Sequence, residues 1–207
     1  MAGIMLTAVP VIRSNAESVG RGISPREEVL RGFLLAVGNY YRVPQSEVVI
    51  IRKRGIPADE IPVVLFIAKK ARVEPKAIVD LRLQGNRWLD IALGHGLGPD
   101  LFYVPTDGVA TDPPFARAYG YYKNKPRKDW KNIPLNDDDI ISLVNLKWVS
   151  EHYGHSPGKI IRMLSGNGEF ISINEEIRRG KERFKGQGIA TLPRRLRQAY
   201  PISRTVL

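Results

Sequence analysis

The sequence predicts an all-α protein made of tandem helical units, a long irregular loop and a basic C-terminal tail. Apolar residues recur at helical spacing, helix start and stop signals accompany them, and the chain resembles itself after thirty residues. The 207 residues, 43% of them hydrophobic, can form one substantial core or two small ones. Because cysteine is absent, disulfide scaffolds, thiolate catalysis and cysteine-based zinc sites are excluded.

The first helix has the clearest local signal. Ser24 and Glu27 have the spacing of a capping box, and Pro25 occupies the first helical position, where its missing N–H costs nothing. Apolar residues from Leu30 to Tyr41 then follow on one face. A helix is therefore predicted over 25–41.

The repeat becomes visible when Val43 is aligned with Val73. The matched pairs include Val48 with Ile78, Ile51 with Leu81, Gly55 with Gly85 and Ile61 with Ile91. A third, weaker copy appears when His155 is set in the same register. Each unit is predicted to be a helix, a tight turn, a proline-started helix and a glycine stop. The predicted helices cover 25–41, 45–53, 60–71, 75–84, 87–93, 137–153, 158–164 and 172–184.

These signals divide the chain into five segments. Residues 1–23 form an N-terminal segment, 24–102 two repeat copies, 103–136 a proline-rich loop, 137–184 the third unit and 185–207 a basic tail. Repeat positions predict the core. The predicted core residues are Val37, Val43, Val48, Ile51, Ile67, Val73, Ile78, Leu81, Trp88, Ile91, Trp148 and Ile160.

The unit resembles the helix–turn–helix class of DNA-binding motifs. In the stretch 67–78 a small alanine precedes the turn and Ile78 anchors the second helix, while in 148–160 Gly154 and Ser156 occupy the usual turn positions. Two departures are Arg72 in place of the turn glycine, and His155 in place of an apolar residue.

The resemblance implies that each second helix enters a major groove and that its exposed N-terminal residues contact base edges. Those residues are Gln45, Ser46 and Glu47; Lys76, Ala77 and Asp80; Gly158, Lys159 and Arg162. Acidic residues in the first two sets oppose phosphate approach, so only the third set suits DNA. The alternative, which is favoured, is that the unit is a compact way to pack short helices.

The formal net charge of +11 is unevenly placed. Residues 117–131 hold six basic residues against Asp129, and residues 178–207 hold nine against Glu182. In 117–131 the cations alternate with aromatic rings, a pattern suited to single-stranded nucleic acid, whose bases stack on rings. A loop anchored by its rings, with a solvated basic edge, would show the same pattern.

Candidate nucleic-acid-binding residues follow from this charge distribution. They are Lys123, Lys125, Arg127, Lys128, Tyr121, Tyr122, Trp130, Lys159, Arg162, Arg178, Arg179, Lys181, Arg183, Arg194, Arg195 and Arg197. Most of the affinity is expected in the 117–131 loop and the tail, and deletion of 178–207 is expected to flatten its salt dependence.

The histidines offer little for catalysis or metal binding. His152 and His155 lie three residues apart, with aspartates 137–139 upstream, but His155 falls at the turn position that points towards the core. His95 lies in a glycine-rich stretch that lacks the preceding strand of a phosphate-binding loop, and is predicted to mark a helix exit. No catalytic constellation is found, and neither a metal nor a cofactor is predicted.

The predicted function is therefore that of a non-catalytic interaction protein that binds a polyanion, most plausibly nucleic acid. The alternative is an exported or envelope-associated helical-repeat module that binds a protein or a cell-surface polymer. The first twelve residues are apolar but too short for a transmembrane segment. A cytoplasmic location is expected, and export stays open if translation starts upstream.

Overall fold

The computed structural model describes residues 24–106, 113–165 and 168–186, with side chains as far as Lys181. All regular secondary structure in these ranges is helical, so the all-α prediction is confirmed. The α-helices are α1 Pro25–Tyr41, α2 Gln45–Lys53, α3 Ile61–Ala71, α4 Pro75–Leu83, α5 Trp88–Gly94, α6 Ala116–Asn124, α7 Asp137–Tyr153, α8 Pro157–Leu164 and α9 Phe170–Gly186. Short 3₁₀ segments cover Ala58–Glu60, Pro99–Phe102 and Arg127–Asn132.

The same turn joins α1 to α2, α3 to α4 and α7 to α8. The residue after the first helix is left-handed each time, with φ of 59° at Arg42, 58° at Arg72 and 68° at Gly154. The next N–H then donates to a carbonyl five residues back, and the pairs are Val43 to Gly38, Val73 to Ala68 and His155 to Ser150, at 3.0, 3.0 and 3.1 Å. The N–H of the left-handed residue donates to the same carbonyl, so two N–H groups close on one carbonyl at the end of each first helix. The turn therefore survives without glycine in two of the three units.

Helix α3 lies at the centre of the fold. Its first eight residues, 61–68, are all buried, as expected for a helix surrounded by others, and it packs against α1, α2, α4 and α7. Helix α7 in turn contacts α5, α8 and α9, and Phe33 of α1 meets Trp148 of α7 edge to face at 5.4 Å. Of the predicted core residues, Val43, Val73 and Leu81 are half-buried against the core and the other nine are buried.

An ion-pair network around Arg82 of α4 connects distant parts of the chain. The guanidinium donates to both carboxylate oxygens of Glu60, at 2.8 and 3.1 Å, and to Oδ2 of Asp137 at 2.6 Å. Oδ1 of Asp137 accepts from the backbone N–H of Trp88 at 2.9 Å, and the guanidinium lies 4.6 Å from the Trp88 ring. One side chain thus fixes α3, α4, α5 and α7 relative to one another.

The prediction of a long irregular loop over 103–136 is wrong for two helical segments of 9 and 6 residues. Helix α6 and the 3₁₀ segment Arg127–Asn132 lie inside it. The buried face of α6 is Ala118, Tyr119 and Tyr122. These three residues are too few to give a clear helical pattern, and the prolines on either side interrupt any longer periodicity. The helix is therefore stabilised by its packing against the core, and the sequence pattern alone does not predict it.

Replacing Arg82 with lysine should lower the free energy of unfolding by about 2–4 kcal/mol, because lysine lacks the planar fork that bonds both oxygens of Glu60 and also reaches Asp137. Chemical denaturation followed by circular dichroism measures this. The matched control is Arg87→Lys, whose pair with Asp90 is exposed and should be worth less than about 1 kcal/mol. Equal losses in the two variants would show that the network does not support the fold.

Replacing Arg72 with glycine should raise the free energy of unfolding by up to about 1 kcal/mol. A left-handed conformation costs about 1–2 kcal/mol for a residue with a Cβ, more than the added unfolded-state entropy of glycine. Thermal and urea unfolding curves measure the change. Lys69→Gly, at an exposed position inside α3, should instead destabilise by about 1 kcal/mol. A loss of stability in Arg72→Gly would contradict the strain argument.

Candidate functional site

Five cations lie close together at the end of α6 and in the 3₁₀ segment that follows it. We define the cationic ridge as Lys123, Lys125, Arg127, Lys128 and Lys131. Lys125 is half-buried and the other four side chains are exposed. In the described part of the chain none of the five forms an ion pair. Their charges are therefore available to an external anion.

The ridge rests on a cluster of aromatic rings. The Trp130 indole N–H donates to the carbonyls of Tyr122 and Lys125, at 3.2 and 3.0 Å, and the Tyr122 hydroxyl donates to the Pro99 carbonyl at 2.7 Å. The Tyr103 ring lies 5.0 Å from Tyr122 and 4.6 Å from Trp130. Burial raises the pKa of the Tyr122 phenol well above its ordinary value. These contacts give the ridge a folded backbone.

The same contacts correct the prediction that bases stack on the Tyr122 ring. Tyr122 is only 3% exposed, so its face is closed to a ligand. Trp130 is half-buried, with Tyr103 near its ring and the Arg127 guanidinium 5.3 Å away. Tyr121 is also half-buried. The rings alternate with cations because they anchor the segment to the core.

Several cations at the turn-following helices α2 and α4 form ion pairs, although Arg52 and Lys53 of α2 are exposed and form none in the described ranges. Arg54, the residue after α2, and Lys76 of α4 both pair with Asp80, at 2.6 and 2.7 Å, and these two cations lower the pKa of that carboxyl. Arg117, at the start of α6, pairs with Asp139 at 2.5 Å. The implied reading of bases by these two helices therefore gains no support from the charge distribution.

Helix α8 of the third unit differs from α2 and α4. Lys159 and Arg162 are exposed and form no ion pair within the described ranges, although the Lys159 ammonium lies 3.5 Å from Nδ1 of His155. Gly158, however, is buried with Ile160, Ile161 and Leu164, so its place among the predicted base-contacting residues is wrong. Lys159 and Arg162 make the exposed face of α8 basic, but two cations on one short helix do not define a binding site.

The predicted C-terminal candidates divide between a helix and residues outside the described ranges. Arg178 and Arg179 lie on α9 and both donate to Glu175, whose pKa they lower. Lys181 lies over the Tyr153 ring at 4.8 Å. Arg183 is on α9 but its side chain is not described, and Arg194, Arg195 and Arg197 lie outside the described residues. Because α9 packs on α1, α7 and α8, deletion from residue 178 would cut into the folded part.

The histidines and aspartates of the third unit do not converge. The His152 ring lies 4.6 Å from Tyr153 and 6.0 Å from Trp148, and burial, followed by the Lys181 charge, lowers its pKa. No group of three or more histidine, aspartate or glutamate side chains in the described ranges could hold a metal ion. His95 does follow a helix exit, since α5 ends at Gly94 and the N–H of Leu97 donates to the Ala92 carbonyl at 2.9 Å.

A groove of about 390 Å³ beside the ridge was not predicted from the sequence. Its lining residues are Leu93, Gly96, Gly98, Asp100, Leu101 and Lys131. Lys131 belongs to both the groove and the ridge. The sequence signals for this groove were the glycines of the Gly94–Gly98 stretch and the apolar Leu93, whose side chain is 50% exposed in the structure. Neither signal predicts a groove, because the neighbouring 3₁₀ segments are needed to form it.

A smaller groove of about 180 Å³ lies between α2 and α4. Ile50, Ile51 and Val79 line it, and the Ile50 side chain is 57% exposed. The groove sits where the first two units meet. It is the main apolar feature on the exposed faces of the turn-following helices.

No protein-family model matches the chain, and comparison with the curated proteins and with the solved structures gives no significant match. Among the described helices, none is both long enough and apolar enough to span a bilayer.

The free energy of unfolding should fall as the pH is lowered from about 7 to 5. The pKa values of His152 and His155 lie below their ordinary 6.5 in the folded protein, so below that pH the unfolded chain binds protons that the folded chain does not. Replacing both with glutamine should flatten this region of the curve in urea titrations. The acid-side decline below about pH 4, to which Asp80 and Glu175 contribute, should persist. An unchanged slope between pH 7 and 5 would contradict the assignment.

Proposed function

We propose that the protein is a non-catalytic interaction protein that binds a polyanion, with nucleic acid as the principal candidate, through the cationic ridge. The observation that carries the proposal is the density of cations on the ridge. Five cations that form no ion pair in the described ranges lie there within nine residues, with Asp129 as the one acidic residue among them.

The physical basis is counterion release. Each cation that neutralises a phosphate releases condensed counterions. For every tenfold rise in salt concentration, log K therefore falls by about 0.9 per contact for duplex DNA and by about 0.7 per contact for a single strand. A ridge with a folded backbone loses less conformational entropy on binding than a disordered basic arm. The aromatic cluster beneath the ridge contributes to binding through this rigidity and not by stacking.

The ridge supports contact with the backbone of the polymer more than recognition of sequence. Lysine is a strongly hydrated point charge that suits phosphates, and four of the five ridge cations are lysines. Phosphate contacts fix the register and orientation of a nucleic acid but carry no sequence information. Lys159 and Arg162 on α8, and the basic residues beyond 186, would supply further cations to a polyanion.

The alternative function is binding of a protein or a cell-surface polymer by an exported or envelope-associated module. The apolar groove between α2 and α4 favours a protein partner, because Ile50 is exposed there beside Val79. The ridge and this groove are separate surfaces built on different elements. Binding assays on ridge variants therefore distinguish the two functions.

Changing Lys123, Arg127 and Lys128 to glutamine should weaken binding of single- and double-stranded DNA at low salt by at least tenfold. The plot of log K against log salt should become less steep by about 2–3 units, because up to three phosphate contacts are lost. Fluorescence anisotropy across salt concentrations measures both quantities.

The matched control is Lys69, Lys70 and Arg72 changed to glutamine, which removes the same charge from exposed positions at the end of α3. A truncation after Gly186 tests the basic C-terminal residues without cutting α9. Equal losses in the two triple variants would show that net charge alone determines binding. Absence of binding to any nucleic acid at low salt would reject the proposal and favour the alternative function.

A further inference from the structure

The groove of about 390 Å³ opens directly beside the ridge. Lys131 lines the groove and ends the ridge, and the hydrogen bond from the Tyr122 hydroxyl to the Pro99 carbonyl joins the two supporting segments. The volume lies at the small end of the ~300–1,000 Å³ that ligand sites occupy. A polymer whose phosphates follow the ridge would therefore pass the mouth of this groove.

The lining of the groove combines apolar surface with one carboxylate. Leu93 and Leu101 provide the apolar part, and the backbone at Gly96 and Gly98 lies open because neither residue carries a side chain. Asp100 supplies the carboxylate and Lys131 the single ammonium, and in the described ranges Asp100 takes part in no ion pair. The groove thus offers two acceptor oxygens beside an apolar wall.

Gly98 is needed for the placement of that carboxylate. A Cβ at this position would lie only 2.5 Å from Oδ1 of Asp100 and 3.8 Å from Cγ of Lys131. Any other residue would displace the carboxylate from the backbone over which it lies. The absence of a side chain at Gly98 therefore leaves room for the Asp100 carboxylate at the edge of the groove.

We infer that the groove receives one unpaired guanine of a single-stranded nucleic acid whose phosphates lie on the cationic ridge. This inference rests on the proposed function and specifies its ligand. The leucine side chains contact the base, the Asp100 carboxylate accepts its N–H groups, and Lys131 contacts the adjoining phosphate. The site reads a base edge without an aromatic stacking platform.

Guanine is selected by the arrangement of its hydrogen-bond donors. Its Watson–Crick edge places the N1–H and the 2-amino group side by side, and one carboxylate with two oxygens can accept from both. Adenine and cytosine each present one amine beside a ring nitrogen that repels the second oxygen. Thymine and uracil present a single N–H between two carbonyls. Unpaired guanine therefore fits best, and paired guanine is excluded because its edge is occupied.

The test compares two labelled single strands of about twelve nucleotides, one all thymine and one with a single central guanine. Fluorescence anisotropy with the full-length protein should show about tenfold tighter binding of the guanine strand, the size expected for one bidentate contact. Hypoxanthine, which lacks the 2-amino group, should lose most of that preference. A fully paired duplex should show no dependence on its guanine content.

Two matched variants separate the groove from the ridge. Asp100→Asn should reduce the guanine preference to less than twofold, because the amide has only one acceptor oxygen. Asp129→Asn removes the same charge within the ridge segment, so it should strengthen binding of both strands and keep the preference. Thermal unfolding of each variant checks that the fold is intact.

The outcomes also separate the two proposals. Equal affinity of the wild-type protein for both strands, or a preference that survives in Asp100→Asn, would overturn the guanine site and leave the ridge intact. Loss of the guanine preference in Asp129→Asn as well would overturn the site, since the preference would then depend on net charge and not on the Asp100 carboxylate. Failure to bind either strand at low salt would overturn both proposals.

Discussion

The arrangement of the helices depends on the Arg82 guanidinium, which holds Glu60 and Asp137 at once. Asp137 also accepts the backbone N–H of Trp88, so one charged group fixes the ends of several helices. A pair of this kind stabilises only when the desolvated charges are fully hydrogen-bonded, a condition the planar fork of arginine meets. The network connects the second unit to the start of α7, which is the first helix of the third unit.

The three units use one backbone turn with different residues. Arg42 and Arg72 adopt the left-handed conformation that Gly154 adopts readily, and the paired hydrogen bonds after each helix are the same. The packing of the following helix is therefore strong enough to impose an unfavourable conformation on arginine. On α4 the exposed Lys76 forms an ion pair with Asp80, and on α2 the exposed residues include the apolar Ile50.

The ridge is distinctive because of its charge density. It holds five cations and one acidic residue, Asp129, within nine residues, and none of the five cations forms an ion pair in the described ranges. The rings of Tyr103, Tyr122 and Trp130 turn that excess into a surface with a defined shape. The proposed groove exists because Lys131 is brought against the Gly94–Asp100 stretch, which precedes it by some thirty residues.

The helical class, most helix boundaries and the repeat can be predicted from the sequence, because capping boxes, prolines at helix starts and apolar spacing are local signals. Nine of the twelve predicted core residues are buried, and the basic character of 123–131 follows from counting charges. Tertiary contacts determine that 116–124 and 127–132 are helical, that Tyr122 is buried, and which cations are paired. These properties depend on contacts between residues far apart in the chain, such as Arg82 with Asp137, and no local pattern records which distant partner a side chain will meet.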